Sequence, residues 1–152
     1  MEELTLSFLV FLQEQTRALN QSMEEAARFW QITPSEVKIL LFLRRMPQLD
    51  TASDVARHCS MSKASVSGNV LKLVSRGLLT ADMDLKDRRL QRLRTTKQAE
   101  PVLETIDKAM EQFCRQSLHT LTQQERQTLE ALLKKLNPTE VLFNEERNRH
   151  ED

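Results

Sequence analysis

The sequence predicts a mainly α-helical protein with one short, strongly charged β-hairpin, and three observations carry that expectation. Glycine and proline are scarce, two and four in 152 residues, while Leu, Glu, Gln, Arg and Lys abound, a composition that favours helices. Apolar residues recur at three- and four-residue steps over most of the chain. Between Asp54 and Thr96, two short helical patterns lead into a hairpin whose tip reads Asp84-Leu85-Lys86-Asp87-Arg88-Arg89.

The elements can be justified in order. From Leu4 to Trp30 the residues Phe8, Leu12, Leu19, Met23, Ala27 and Trp30 form one stripe, with Thr16 in its gap, which is the pattern of a long amphipathic helix. Thr33-Pro34-Ser35-Glu36 supplies an N-cap, a first-turn proline and a capping-box glutamate for a second helix through Val37, Leu40, Leu41 and Leu43, which Pro47 stops. Thr51-Ala52-Ser53-Asp54 opens a two-turn helix with Val55, Ala56 and Cys59 on its buried side. Ser60-Met61-Ser62 interrupts. Val66, Val70, Leu73 and Val74 then mark the buried face of a longer helix, ended by Gly77 just after Arg76. A short helix, a tight turn and a longer helix make a helix-turn-helix.

Leu78–Asp84 and Leu90–Thr95 can pair as a two-stranded hairpin, although their apolar alternation is poor. Val102, Ile106, Met110, Phe113 and Ser117 define the next helix. Pro101 falls past the tolerated first turn if Thr96 is the N-cap, so this helix bends there or starts closer to Glu100. Thr122-Gln123-Gln124-Glu125 is a further capping box, leading into Leu129, Leu132, Leu133 and Leu136. After Asn137-Pro138 the tail, residues 137–152, is polar and frayed, with Val141, Leu142 and Phe143 able to dock on a neighbour. The first helix and the last two are too extended for a core of about fifty residues to cover, so their stripes call for a partner, of which a second copy is the simplest, unless they pack on one another as an intramolecular helical bundle.

Charge is segregated. The whole chain balances at 22 cations against 22 anions, yet Ala52 to Lys97 carries ten cations (Arg57, Lys63, Lys72, Arg76, Lys86, Arg88, Arg89, Arg92, Arg94, Lys97) and four anions (Asp54, Asp82, Asp84, Asp87), a local excess of +6. Such a surface attracts phosphate, unless the run is simply a solvated face. Nothing reads as a secretory signal, and no run approaches the roughly 18 apolar residues of a membrane span, so a cytoplasmic protein is expected. Cys59 and Cys114 give neither metal-type spacing nor a disulfide framework, and both are expected to be buried structural thiols. His58, His119 and His150 share no ligand spacing, and no nucleophile–base pair or phosphate loop stands out. No metal, no cofactor and no enzymatic activity are expected.

With this order of elements, the sequence resembles the MarR family of winged helix-turn-helix bacterial transcription regulators over roughly Leu4 to Leu136. The most specific element is the wing pattern Asp-x-Arg-Asp-x-Arg, which here reads Asp84-Leu85-Lys86-Asp87-Arg88-Arg89, with Thr96 at the next helix start. Thr33-Pro34-Ser35-Glu36, Val55-Ala56 and Arg76-Gly77-Leu78 support it. Departures are Lys86 in place of the first wing arginine, Thr95, Ala99, and Gly68 where relatives often carry a long side chain. The resemblance implies a winged helix-turn-helix over residues 33–97, with residues 4–30 and 98–136 forming dimerisation helices.

Helical geometry turns Ser65, Gly68 and Lys72 outward from the longer helix, with Ser62, Lys63 and Asn69 flanking, so these six are the expected reading surface for a major groove. Gly68 either permits close backbone approach to DNA or is merely tolerated. At the hairpin tip Lys86, Arg88 and Arg89 would, by resemblance, reach the minor groove or its phosphates, while Asp84 and Asp87 hold the wing. Arg88 is the leading DNA contact, and Arg89 the arginine expected to form an internal pair. Arg92, Arg94 and Lys97 are expected to give general phosphate attraction or to be solvated strand residues.

The function expected is therefore a homodimeric, sequence-specific regulator of transcription, a repressor released by a small-molecule effector, bound to a near-palindromic site in double-stranded DNA. The alternative is a winged-helix protein-interaction module. The resemblance places effectors in the crevice between the dimerisation helices and the winged region, involving parts of Leu4–Trp30 and Val37–Leu43, but no residue stands out as an anchor for a ligand.

Overall fold

The computed structural model describes residues 1–136. The expected docking of Val141, Leu142 and Phe143 lies outside the described residues. Among those described, six α-helices and one β-hairpin follow in the order α1 (Glu2–Phe29), α2 (Pro34–Arg45), α3 (Ala52–His58), α4 (Lys63–Ser75), β1 (Leu79–Met83), β2 (Gln91–Thr95), a 3₁₀ turn (Lys97–Ala99), α5 (Glu100–Ser117) and α6 (Gln123–Leu136). None is long and apolar enough to cross a membrane, among the described residues. The fold is the mainly helical winged helix-turn-helix that the sequence predicts.

Residues Met1–Phe113 form one compact unit, and a second begins at Cys114. The core of the first is built around α2. Val37, Ile39, Leu40, Leu41 and Leu43 are all buried, so this helix is apolar around most of its circumference and is packed by α1, α3, α4 and β2. Val55 from α3, Val66, Val70 and Leu73 from α4, Leu79 and Leu93 from the hairpin, and Val102, Leu103 and Ile106 from α5 complete it. In the second unit α6 buries none of its residues, and Leu132, Leu133 and Leu136 are exposed.

Helix starts follow the capping chemistry. Thr33 accepts from the Glu36 backbone N–H at 3.2 Å while the Glu36 carboxylate accepts from the Thr33 N–H at 2.6 Å. Thr51 and Asp54 repeat the arrangement at the start of α3, each accepting from the other's backbone N–H at 3.2 Å. Both boxes satisfy donors that a helix N-terminus otherwise leaves open. Before α6, Glu125 accepts from the Thr122 backbone N–H at 2.8 Å, which holds its carboxyl below the usual range.

The Thr96–Pro101 region takes the later start. A 3₁₀ turn over Lys97–Ala99 precedes α5, which begins at Glu100, so Pro101 falls in its first turn. The Thr96 hydroxyl caps no helix and instead donates to the Gly77 carbonyl. Two burial expectations are corrected. Val74 is 37% exposed, because the buried stripe of α4 runs through Val66, Val70 and Leu73 and leaves Val74 at its edge. Cys114 is exposed rather than buried, since α5 turns its buried side through Val102, Leu103 and Ile106 near its start. In α1 only Ala26 and Ala27 are buried, so the Phe8–Leu12 part of its stripe is uncovered in the single chain, as the length of this helix led us to expect.

Gly77 has φ +71°, the left-handed conformation that lets α4 stop and the chain turn into β1. A Cβ there would meet the end of the Gln98 side chain, which can move, so the cost of substitution lies in the backbone. Gly77→Ala is expected to lower the unfolding free energy by about 1 kcal/mol in urea titrations. Adding Gln98→Ala should not restore it; restoration would place the cost in the side-chain clash.

Candidate nucleic-acid interface

The second helix of the helix-turn-helix, α4, is positioned at both ends. At its start the Ser62 hydroxyl accepts from the Ser65 backbone N–H at 3.1 Å. At its end the Arg76 guanidinium donates to the Gln31 carbonyl and to the Trp30 carbonyl, each at 2.7 Å. Those carbonyls close α1, where the helix dipole is negative and a cation is favoured. Arg76, one of the ten cations of the basic window, is thus committed to joining α4 to α1.

Between these anchors Val66, Val70 and Leu73 face the core. Ser62, Lys63, Gly68 and Lys72 are exposed or nearly so, whereas Ser65 and Asn69 are half-buried. The Asn69 amide is occupied within its own helix, donating to the Ser65 carbonyl at 2.8 Å. The six residues expected to read DNA therefore do not share one line. The outermost line contains Ala64, Gly68 and Leu71, with Ser67 and Lys72 on its flanks, all exposed. Ala64, Ser67 and Leu71 are missing from the sequence reading, although steps of four and three from Gly68 reach Ala64 and Leu71, and a further step of three from Ala64 reaches Ser67. A Cβ at Gly68 would meet nothing within 4 Å, so no internal packing requires glycine at this position.

The wing hangs from an antiparallel pair, with Leu79 opposite Thr95, Ala81 opposite Leu93 and Met83 opposite Gln91. Its tip is organised by two carboxylates. Asp84 Oδ1 accepts from the backbone N–H groups of Lys86 and Asp87, both at 2.8 Å, and Asp87 Oδ1 accepts from the Arg89 N–H at 3.0 Å. The tip closes with Asp84 N–H donating to the Leu90 carbonyl and Leu90 N–H to the Asp87 carbonyl, both at 2.9 Å. With its backbone so fixed, the wing holds Lys86, Arg88 and Arg89 exposed at the surface.

The arginine of the internal pair is Arg92, not Arg89. Arg92 Nε donates to Asp84 Oδ2 and its NH1 donates to Asp50 Oδ1, both at 2.7 Å. Asp50, 7% exposed, lies in the loop between α2 and α3, and its carbonyl accepts from the Leu93 N–H at 2.7 Å. One guanidinium thus ties the wing tip to the base of the domain, 42 residues away in sequence. Arg89 sits beyond the hairpin pairing, where its side chain makes no ion pair among the described residues. Arg92 lies within β2, opposite Asp82, and its fork reaches both Asp50 and Asp84.

Electrostatics follow the geometry. The Asp87 N–H, the Arg92 guanidinium and the Lys86 N–H together hold the Asp84 carboxyl at about 2, below its ordinary 3.8. Asp50, then Asp84, raise the Arg92 guanidinium further above its ordinary value. Burial pushes the Cys59 thiol up, which disfavours the reactive thiolate. No group of three or more His, Cys, Asp or Glu side chains that could hold a metal occurs among the described residues; His150 lies outside them.

Because the folded value of Asp84 is depressed, its contribution to wing order is complete above about pH 4 and is lost as pH falls towards 2. Carboxyl NMR titration should give a midpoint near 2 for Asp84 in the wild type. In Arg92→Ala the midpoint should rise but stay below the ordinary carboxylate value, since the Asp87 and Lys86 N–H groups still donate. Arg92→Ala is also expected to broaden or shift the Lys86–Arg89 amide resonances and to lower the melting temperature, because Asp50 is left without the Arg92 cation. An unchanged wing spectrum in that variant would remove Arg92 from its supporting role.

Comparison with known proteins places this geometry. The sequence model of the MarR family matches residues 30–90. Comparison with curated protein sequences finds no match. Among solved structures, a MarR family protein from Bacillus stearothermophilus is 18% identical, with a TM-score of 0.78 over 93% of this chain and 98% of that one. The Staphylococcus aureus MepR–DNA complex is 19% identical, with a TM-score of 0.68 over 88% and 96%. Bordetella bronchiseptica BpsR, whose DNA binding is regulated by 6-hydroxynicotinic acid, is 21% identical, with a TM-score of 0.65 over 89% and 98%. Residues 30–90 are thus similar in sequence to the MarR family, and the chain has the fold that these solved structures share.

Proposed function

We propose that this chain is a homodimeric, sequence-specific DNA-binding regulator of transcription, a cytoplasmic repressor of a near-palindromic operator whose hold on DNA a small-molecule effector weakens. The observation that carries the reading is the pairing of two devices on one unit: a helix with small, exposed side chains along its outer line, and a braced wing displaying Lys86, Arg88 and Arg89. The first suits a major groove and the second suits phosphates or the minor groove. Ser62, Lys63 and Lys72 flank the helix as phosphate-directed groups, while Ser65 and Asn69 support its N-terminal turns. Asp84 and Asp87 hold the wing.

Dimerisation is supported by what the single chain leaves uncovered. Leu4, Leu6, Phe8, Leu9, Phe11 and Leu12 are between 43% and 67% exposed and occur on every side of α1. Such an apolar stretch at the start of an otherwise amphipathic helix needs covering on more than one side. A second copy, contributing its own terminal helices, covers it and sets two reading helices for two half-sites. The MepR complex with DNA and the regulation of BpsR by a small acid support the DNA and effector parts of the proposal. An effector releases DNA only by favouring a geometry that binds DNA less well.

Selection against random duplexes tests the reading: a near-palindromic enriched site is expected, and enrichment of nothing, with only weak salt-sensitive binding, would favour a protein-interaction module. On the enriched site, Arg88→Ala should flatten the slope of log affinity against log salt by about one unit for each phosphate that Arg88 neutralises. Unchanged slope and affinity would take Arg88 out of the interface. Phe8→Glu with Leu12→Glu should yield a monomer in sedimentation and reduce operator affinity by roughly 10²-fold, since two linked half-sites bind with avidity. A dimer that persists would place the subunit contact elsewhere.

A further inference from the structure

The outer line of α4 is apolar. Ala64, Gly68 and Leu71 follow one another at steps of four and three residues, and Leu71 is 71% exposed. It is the one large side chain on a line where Ala64 offers a methyl group and Gly68 bare backbone, and where Ser75, at the helix end, donates its hydroxyl to the Lys72 carbonyl at 2.7 Å. Gly68 leaves open space beside it, with nothing within 4 Å of where a Cβ would stand. Of the polar side chains flanking the line, Ser67 is short and Lys72 is a flexible point charge suited to phosphate, while further round the helix Ser65 is half-buried and the Asn69 NH2 group donates to the Ser65 carbonyl.

An exposed leucine at this position requires an explanation in terms of its surroundings. Lys63 and Lys72 lie on the same helix, and Lys86, Arg88 and Arg89 on the wing that follows it in the chain, all exposed. That setting selects an anionic partner rather than an apolar protein face. In a DNA major groove, base edges present hydrogen-bond donors and acceptors, and the apolar group that projects among them is the C5-methyl of thymine.

We propose that Leu71 is a specificity-determining residue that recognises a thymine methyl in the major groove, with Ala64 and Gly68 allowing the helix backbone to approach closely enough for the contact. The inference rests on the DNA-reading function proposed above and names what that surface reads. Base preference then comes from a methyl contact and close fit rather than from a bidentate arginine or asparagine.

The experiment uses the duplex enriched by the wild-type protein. Each thymine of a half-site is replaced in turn by deoxyuridine, which removes the methyl and keeps every hydrogen-bonding group. At one or two positions the wild type should lose about fourfold in affinity, the effect of withdrawing one methyl group from an apolar contact. Leu71→Ala should bind the thymine and deoxyuridine duplexes equally at those positions. Because Leu71 is exposed, the melting temperature of this variant should match that of the wild type. Deoxyuridine without effect at every position, or full discrimination retained by Leu71→Ala, would overturn the assignment while leaving DNA binding intact. Failure to enrich any duplex would overturn the DNA-reading function and this inference with it.

Discussion

A helix with apolar side chains on nearly every side must be surrounded, and the arrangement of this domain follows from surrounding α2. Its buried Val37, Ile39, Leu40, Leu41 and Leu43 leave only a narrow strip, including Lys38, Arg44 and Arg45, for water. Each neighbour contributes a matching patch: Val55 from α3, Val66 and Leu73 from α4, Leu93 from β2. Because α4 and β2 both pack on this one helix, α4 and the wing are referenced to the same support. The groove and phosphate contacts proposed for them would demand such a shared reference, since either alone leaves the other free to drift.

The wing needs a second support, because a two-stranded hairpin is marginally stable by itself. The Asp50–Arg92–Asp84 bridge provides it at the tip side, while the Leu93 N–H to Asp50 carbonyl bond provides it along the strand. The division of labour among the charges is clear from this. The Asp84 and Asp87 carboxylates face backbone N–H groups, Asp84 also faces Arg92, and the tip cations face solvent. A surface that carries aspartates can thus still present a positive edge, because both tip aspartates already accept hydrogen bonds from their own loop.

Much of this was legible in the sequence, for a physical reason. Capping boxes such as Thr33–Glu36 and Thr51–Asp54 are interactions between residues three apart, so the sequence displays both partners together. The stripes of α2 and α4 are similarly local. What escaped were contacts between distant segments. Arg92 meets Asp50 across 42 residues and Arg76 meets Trp30 across 46, and neither arginine differs in its immediate neighbours from Arg89 or Arg94 in a way that marks it. The exposure of Val74 was missed because it lies at the margin of a stripe, where a small rotation of the packed helix separates buried from exposed. Ala64, Ser67 and Leu71 were overlooked for a different reason: a search for polar contacts passes over small and apolar residues, even on the outermost line of an exposed helix.

The Arg76 clamp has a consequence for how this protein can change over generations. Its acceptors are main-chain carbonyls at Trp30 and Gln31, which every amino acid possesses. Substitution of either side chain therefore leaves both acceptors in place, and the junction between α1 and α4 tolerates sequence drift on one side. The other side has no such latitude: lysine, a single point of charge, cannot reproduce a fork that spans two carbonyls. Selection on the joint is thereby concentrated in one codon, while the end of α1 is left free to diversify with whatever the long helix comes to bind.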